Sequence, residues 1–245
     1  MKQTKKQPHA ERDAAPSGKE FLMQLYYIRH GEPIYEPDQL TEKGHAQARA
    51  LGEAMKDYGI DKIFASTSNR ARQTAQPLAD ALQKDVVLLD WCNEKYAADA
   101  FGAKDDGKWN WIYRVEKYLA LFASDEVYAL RDKWYEHPSF SALKCKEGYL
   151  RAAREADAFL ESFGLVRDEN EHCYRADKLF DGKIALFAHE GFGHFFLPYV
   201  TFIPYPLFAR FDNAHTGVTQ IDFKPFEDGR VFPRIQYVSN TAHLR

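Results

Sequence analysis

Two histidines stand at the ends of short apolar runs in this chain of 245 residues. His30 follows residues 22–28, with Arg29 directly before it, and His189 follows residues 184–188. Each run has the length and composition of a buried β-strand. Because ligands gather outside the carboxyl ends of parallel strands, we expect the two imidazole rings to meet at one edge of a sheet.

Two arginines are predicted at the same edge. Arg29 precedes His30, and Arg70 lies in the first turn of a predicted helix that follows the second strand. A guanidinium group is planar and permanently charged, and the N–H groups of a helix N-terminus also attract anions. Arg72 points about 200° away from Arg70 around that helix, so we leave it out of the pocket. The remaining groups predict a site for a phosphoryl group.

A neutral imidazole in such a pocket can attack phosphorus in line and take the phosphoryl group onto a ring nitrogen. His30 suits this role, because Arg29 and Arg70 would offset the charge on the phosphoryl oxygens. The departing alkoxide then needs a proton from a carboxylic acid at the mouth of the pocket. Glu94 follows the third predicted strand and is placed for this, provided that its pKa is raised.

The other histidines are assigned no chemistry. His45 and His194 fall inside predicted helices, without a carboxylate or cysteine at the spacing of a metal site, so we predict no metal ligands. His215 precedes a predicted strand and could approach the same edge, but we favour a position outside the pocket.

The elements that position these residues alternate between strand and helix. The predicted order is strand 22–28, a helix capped by Thr41, strand 60–65, helix 70–82 and strand 86–89. This order predicts right-handed crossovers and a parallel sheet with helices on both faces. Antiparallel candidates follow at residues 216–223 and 230–238. The predicted fold class is α/β, a three-layer αβα sandwich with a mostly parallel sheet.

Residues 95–142 interrupt this alternation and are rich in aromatic side chains, so we interpret them as an inserted cap. The sequence leaves two interpretations of the cap open: its aromatic side chains pack a lid onto the core, or they form an apolar wall over the pocket. Nearby acidic residues cancel the charge of the basic residues in the cap, and we therefore expect a solvated face from Lys104, Lys108, Arg114 and Lys117. Residues 1–20 are predicted to be a polar tail of a domain at 21–245.

Composition excludes several classes of protein. Lys and Arg total 33 against 36 for Asp and Glu, a formal net charge of -3, so no basic footprint for nucleic acid is present. The uncharged residues 191–209 contain three prolines, and we expect a buried helix and a loop there rather than a membrane span. Cys92, Cys145 and Cys173 lack the spacing of a disulfide framework or zinc cluster, which favours a cytoplasmic location.

Six motifs occur in order along the chain: Arg29-His30-Gly31-Glu32, residues 40–48, residues 68–75, Asn93-Glu94, Ala188-His189-Glu190-Gly191 and residues 240–244. With them the chain resembles the histidine phosphatase superfamily, in its phosphoglycerate-mutase-like branch. The resemblance implies that His30 is the phosphorylated nucleophile and that Arg29, Arg70 and His189 hold the phosphoryl oxygens. It also implies that Glu94 is the proton donor, and that no metal or other cofactor takes part.

Glu190 departs from the pattern of this branch, in which glycine usually follows the second histidine. In the phytase-like branch an acid at this place supplies the proton. We therefore count Glu190 among the substrate-binding residues and keep it as the rival of Glu94 for the role of donor. The spacing after Glu94 also departs from the common pattern, which leaves the substrate open.

The predicted function is hydrolysis of a small phosphorylated metabolite through a phosphohistidine. A phosphoglycerate-type mutase and a non-catalytic module that binds a phosphorylated ligand are the alternatives. The expected partner is a small-molecule phosphate ester, with no nucleic acid and no membrane. The oligomeric state is left open.

Overall fold

The fold is built around a six-stranded sheet in a computed structural model that describes residues 21–176 and 178–245. The polar tail predicted at residues 1–20 lies outside the described residues. The strands are β1 (Met23–Arg29), β2 (Pro33–Ile34), β3 (Gln39–Leu40), β4 (Lys62–Ser66), β5 (Val86–Leu89), β6 (Gly102–Asp105), β7 (Lys108–Trp111), β8 (Val166–Asp168), β9 (Cys173–Arg175), β10 (Gly182–Ala188), β11 (Val218–Phe223), β12 (Arg230–Val231) and β13 (Arg234–Asn240).

Within the central sheet, helices connect all strands that follow one another in the chain except β11 and β13. The α-helices are α1 (Glu42–Met55), α2 (Asn69–Leu82), α3 (Glu94–Phe101), α4 (Glu116–Phe122), α5 (Asp125–Leu130), α6 (Cys145–Glu161), α7 (Glu190–Thr201) and α8 (Tyr205–Phe208). Short segments of 3-10 helix lie at Asp90–Cys92, Ile112–Arg114, Arg131–Glu136, Pro138–Phe140 and Ala242–Leu244. No helix in the described part of the chain is long and apolar enough to cross a membrane.

The central sheet has the strand order β13-β11-β1-β10-β4-β5. Strands β1, β10, β4 and β5 run parallel, whereas β11 and β13 are antiparallel to their neighbours. The predicted mostly parallel sheet is confirmed. The ends of β1 and β10 coincide, because Arg29 pairs with Ala188 at the last position of the register.

Side chains of β1 alternate between two apolar layers, as a strand buried on both faces requires. Tyr26 and Ile28 pack with side chains of α1 and α2 on one face of the sheet. Leu25 and Tyr27 pack on the other face, with the side chains of α6 and α7. The predicted three-layer αβα sandwich is thereby confirmed.

The first helix begins where the sequence predicts. The hydroxyl of Thr41 accepts a hydrogen bond from the backbone N–H of Gly44 at 2.9 Å, which satisfies one of the free N–H groups of the first turn. Gly44 has a second role, since a Cβ added to Gly31 would come within 2.7 Å of its carbonyl oxygen. The loop after His30 and the start of α1 therefore approach each other backbone to backbone, which two glycines permit.

The cap consists of short helices and one hairpin. Strands β6 and β7 pair as an antiparallel hairpin, and α4 and α5 follow it. Trp134 is completely buried against Phe122, Phe140 and Tyr205, so this part of the cap packs onto the core. The aromatic side chains of the β6–β7 hairpin have a different environment, which is described with the candidate active site. The two interpretations of the aromatic residues thus apply to different side chains.

Candidate active site

The two histidines that follow apolar strands meet at one edge of the sheet. His30 comes directly after β1, and His189 comes directly after β10 as the residue preceding α7. Since these strands are parallel neighbours whose ends coincide, the two rings lie with their centroids 5.2 Å apart. Both side chains are buried. The predicted convergence of the two imidazoles is what the geometry shows.

The ring of His30 has one nitrogen fixed and one nitrogen available. Its Nδ1 lies 2.7 Å from the carbonyl oxygen of Gly31, an acceptor, so Nδ1 carries the proton. Its Nε2 then presents a lone pair and accepts a hydrogen bond from Nε of Arg70 at 3.2 Å. Burial holds the pKa of His30 well below its usual range, and Arg70 and Arg29 lower it further. The imidazole is therefore neutral, the form that a nucleophile needs.

His189 is hydrogen bonded through both ring nitrogens. Its Nδ1 accepts from Nη2 of Arg70 at 3.2 Å, and its Nε2 lies 2.8 Å from the hydroxyl of Ser66 and 3.2 Å from that of Ser68. Arginine can only donate, so the proton of the neutral ring is on Nε2, facing the serines. Burial lowers the pKa of His189 well below its usual range, and the neighbouring His30 lowers it further.

Arg70 lies in the first turn of α2 and joins the two histidines. Its remaining terminal nitrogen, Nη1, forms an ion pair with Asp38 at 2.7 Å. The ring of Tyr35 lies 5.4 Å from the guanidinium carbon. Asp38 also accepts from the backbone N–H of Asn69, at 2.7 Å, and so ties the loop before α1 to the start of α2. These contacts fix the plane of the Arg70 guanidinium group.

Arg29 ends β1 and is held by groups from the second half of the chain. Its Nη1 lies 3.0 Å from Oε2 of Glu190 and also donates to the carbonyl of Asn213. Its Nη2 donates to Nε2 of His215 at 3.0 Å. Its Nε is buried and has no hydrogen-bond partner within residues 21–176 and 178–245.

Glu94 is the first residue of α3, and its carboxylate accepts hydrogen bonds from the start of α7. The backbone N–H groups of Gly191 and Phe192 donate to its two oxygens at 2.8 and 3.0 Å. Burial raises the pKa of Glu94 to about 7, although these N–H groups and Arg70 act in the opposite direction. Near neutral pH this carboxyl group can therefore carry a proton and release it.

Glu190 is the first residue of α7 and has a different environment. Its side chain is 8% exposed and forms ion pairs with Arg29 and with Arg114 of the cap. Each carboxylate oxygen therefore faces a guanidinium group. The negative charge of Glu190 is thus committed to two ion pairs.

These residues border one cavity of about 460 Å³. It is lined by Arg29, His30, Tyr35, Arg70, Asn93, Glu94, Lys95, Ala98, Trp109, Trp111 and Glu190. A cavity of about 530 Å³ lies at the other end of β1, near Leu22 and Phe226, but no histidine lines it. No three or more side chains of the His, Cys, Asp and Glu types are grouped to hold a metal ion in the described ranges.

The structure brings together all six residues that the sequence singles out, since His189 contacts Arg70 and the other five line the cavity. Two expectations are wrong. His215 is not outside the site, because it contacts Arg29 and its ring lies 5.9 Å from that of His30. Arg114 is not confined to a solvated face, because it pairs with Glu190.

Other contributors carry no signal in the sequence. Asp38, Tyr35 and Ser66 act through hydrogen bonds or ring contacts that depend on loop conformation. His215 lies at the site because β11 is antiparallel to β1, so that the start of β11 lies beside the end of β1.

Comparison with known proteins indicates the family of the chain. A family model described as the histidine phosphatase superfamily (branch 1) matches residues 25–106. An adenosylcobalamin/alpha-ribazole phosphatase of Salmonella typhi is 33% identical over 155 residues, which cover 60% of this chain and 69% of that protein. A protein of Erwinia tasmaniensis named "Probable phosphoglycerate mutase" is 38% identical over 76 residues, which cover 27% of this chain and 35% of that protein. The match thus spans about a third of this mutase-named relative.

Solved structures show the same fold. A mycobacterial glucosyl-3-phosphoglycerate phosphatase superimposes with a TM-score of 0.57 at 18% identity, covering 89% of this chain and 99% of that chain. A phosphoserine phosphatase of Entamoeba histolytica gives a TM-score of 0.55 at 18% identity, covering 91% and 100%. At these identities the likeness concerns the fold alone.

Proposed function

Since the chain belongs to the histidine phosphatase superfamily, we propose that it hydrolyses a phosphate monoester of a small metabolite through a phosphohistidine at His30, without a metal ion. The relatives and structural neighbours described above are named as phosphatases or mutases, so a phosphatase-type activity is the starting point. The specific reaction rests on the geometry of the cavity.

One observation carries the proposal: the available Nε2 of His30 lies beside Arg70, in the same cavity as Glu94. In the first step, the Nε2 lone pair attacks phosphorus and the bond to the alcohol oxygen breaks. Glu94 gives its proton to that oxygen as it leaves. Arg29 and Arg70 offset the charge on the non-bridging oxygens, and His189, which accepts a hydrogen bond from Arg70, holds that guanidinium group in place.

The second step returns His30 to its starting state. Water attacks the phosphorus of the phosphohistidine and the nitrogen–phosphorus bond breaks, with its electron pair returning to Nε2. Glu94, now a carboxylate, accepts the proton of the attacking water and is ready for another cycle. Inorganic phosphate leaves the cavity.

We assign the proton to Glu94 rather than to Glu190. A pKa of about 7 lets Glu94 alternate between acid and base at neutral pH. Glu190 instead uses its two oxygens in ion pairs with Arg29 and Arg114. It contributes to substrate binding through Arg29.

The outer part of the cavity favours an ester with an apolar or planar organic part. Tyr35, Trp109 and Trp111 supply aromatic surface there. Apart from Arg29 and Arg70, the one cationic residue of the lining is Lys95, which pairs with Asp90 at 3.2 Å. A second anionic group on the substrate therefore finds no uncommitted positive charge in the lining.

The residue composition of the cavity lining favours a hydrolase over a mutase. A phosphoglycerate-type mutase is the second candidate, because several relatives carry that name. Its substrate has a carboxylate and its intermediate has two phosphoryl groups, both of which need cationic partners. A module that only binds a phosphorylated ligand is the third candidate, but it would have no use for a buried carboxyl group with a raised pKa in the same cavity as a neutral imidazole.

The proposal includes a location and a partner. Cys92, Cys145 and Cys173 are free thiols, which fits a reducing, cytoplasmic compartment. The partner is a small-molecule phosphate ester, because the cavity of about 460 Å³ has the size of small-ligand sites. Nucleic acid and membranes are not part of the proposal.

An assay that distinguishes the three candidates measures the release of free phosphate, the exchange of isomers and the acid-labile label on the protein. The substrates are p-nitrophenyl phosphate and radiolabelled phosphoglycerate. A phosphatase releases phosphate, a mutase exchanges isomers with little release, and a binding module does neither. His30→Ala should abolish both release and label, whereas His45→Ala, on the partly exposed side of α1, should leave both unchanged. Label that survives in His30→Ala would remove His30 from its role.

A further inference from the structure

A chain of three charged side chains runs from the cap to the phosphoryl-binding groups. Arg114 of the cap pairs with Oε1 of Glu190, and Oε2 of Glu190 lies 3.0 Å from Nη1 of Arg29. The Glu190 side chain is 8% exposed and that of Arg29 is 12% exposed, while that of Arg114 is 49% exposed. The chain of contacts thus leads from the surface of the cap to the floor of the cavity.

The same segment of the cap docks on the first turns of α7. The ring of Tyr113 stacks on that of His194, with centroids 3.6 Å apart, and both ring nitrogens of His194 lack a hydrogen-bond partner in the described ranges. Trp111 packs so closely against Gly191 that a Cβ at this glycine would overlap its indole ring. Arg114 is therefore the polar member of a docked surface, and its contact with Glu190 is not an isolated surface ion pair.

We propose, on the basis of the phosphatase function above, that Glu190 and Arg114 are positioning residues that hold Arg29 for the phosphoryl group. Glu190 and the carbonyl of Asn213 fix Nη1, and His215 fixes Nη2. Nε of Arg29, which has no partner in the described ranges, remains to bind a phosphoryl oxygen. The cap thereby takes part in phosphate binding without touching the phosphate.

Arg114 also compensates for the negative charge that Glu190 places beside Arg29. A carboxylate next to Arg29 would cancel the charge that attracts the phosphoryl group. A second guanidinium on the other carboxylate oxygen leaves the trio with a net charge of +1, since two cations flank one anion. Glu190 thus orients Arg29 while Arg114 preserves the positive potential of the cavity.

The test is a double-mutant cycle on the full chain with Glu190→Gln, Arg114→Gln and the combined variant. We expect kcat/KM for p-nitrophenyl phosphate to fall about 10- to 100-fold in Glu190→Gln, because a misplaced guanidinium costs that much. Arg114→Gln should cost less, and the combined variant should match Glu190→Gln within about twofold, since Arg114 acts through Glu190. The inhibition constant of inorganic phosphate should rise in all three.

Two further measurements separate positioning from other roles. Arg114→Lys should recover part of the activity lost in Arg114→Gln, and Lys104→Gln, which removes an exposed charge of the cap, should be neutral. The loss in Glu190→Gln should be equal for aryl and alkyl phosphates, whereas loss of a proton donor would harm alkyl phosphates most.

The outcomes distinguish this inference from the proposed function. The positioning role would be overturned if the losses of kcat/KM in the two single variants multiply in the combined variant, or if the inhibition constant of phosphate is unchanged. Either result would leave the turnover of the wild type, and with it the proposed function, unaffected. A wild-type protein that neither releases phosphate nor labels His30 would overturn the proposed function itself.

Discussion

Nε of Arg70 donates a hydrogen bond of 3.2 Å to Nε2 of His30, the ring nitrogen that carries the lone pair because the proton is on Nδ1. A phosphoryl group attached to that nitrogen would have its oxygens beside the guanidinium plane. The other nitrogens of Arg70 are committed to His189 and Asp38, so the orientation of the plane is set before a ligand arrives. This arrangement is preorganised for charge that develops on the phosphoryl oxygens.

Arg70→Lys should lower kcat/KM by about 100-fold or more, because an ammonium group cannot contact His30, His189 and Asp38 together. Steady-state kinetics with p-nitrophenyl phosphate measure the loss. Arg72→Lys is the matched control, since Arg72 lies in the same helix and is exposed. Equal activity of the two variants would contradict the role of Arg70.

Glu94→Gln should harm alkyl phosphates far more than aryl phosphates, because only the poor leaving group depends on the donated proton. The pKa of Glu94 is raised to about 7, so its proton is present below that pH and lost above it. Wild-type kcat for an alkyl phosphate should therefore decline above about pH 7. In Glu94→Gln that decline should be absent. A decline that persists in the variant would assign the proton to another group.

Gly191→Ala should reduce turnover although alanine is the better helix former. A Cβ at this position would overlap the ring of Trp111 and lie 2.7 Å from Oε1 of Glu94. The carboxyl group and the aromatic wall must both move. We expect a loss in kcat of about 10-fold or more for alkyl phosphates. A variant with wild-type kcat would show that this close approach is unimportant for proton transfer.

Stability should fall as the pH drops from 7 to 5. Burial lowers the pKa of five histidines, to about 3 for His194, to about 4 for His215, well below the usual range for His30 and His189, and below the usual value for His243. Below about pH 6.5 the unfolded chain binds protons that the folded protein does not. The free energy of unfolding then decreases by up to about 1.4 kcal/mol per pH unit for each histidine.

Urea unfolding at several pH values measures the slope of the free energy of unfolding against pH. Glu94 opposes it, since a carboxyl group with a raised pKa stabilises the folded state at lower pH. His194→Phe keeps the stacking on Tyr113 and removes one titrating ring. Its slope should be smaller than that of the wild type by about 1 kcal/mol per pH unit. An identical slope would mean that His194 is not neutral in the folded protein.

That His30 and His189 lie at the same edge of the sheet is predictable from sequence, whereas the 5.2 Å separation of their rings also depends on β1 and β10 being neighbours. Two largely apolar strands in an alternating strand and helix order imply parallel pairing, and parallel strands end at the same edge. No knowledge of loops is needed. The position of Arg70 follows in the same way from the helix that begins after β4.

Arg114 and His215 are beyond the reach of the same reasoning. The pairing of Arg114 with Glu190 depends on how the cap docks on α7, and charge counting among neighbours in sequence does not describe that contact. The position of His215 depends on β11 lying beside β1, and strand order was not predicted. The choice between Glu94 and Glu190 likewise depends on surroundings that only the fold defines.

The place of β1 in the sheet has a consequence for biosynthesis. This strand lies between β10 and β11, which are made much later, so it has no neighbour in the sheet until residue 182 and the strand that follows have left the ribosome. Pairing over such sequence distances is slow and exposes apolar strands in the meantime. A chain whose translation stops before that point therefore contains His30 but lacks the pocket around it. We expect chaperones to bind such a chain and substrate not to bind it.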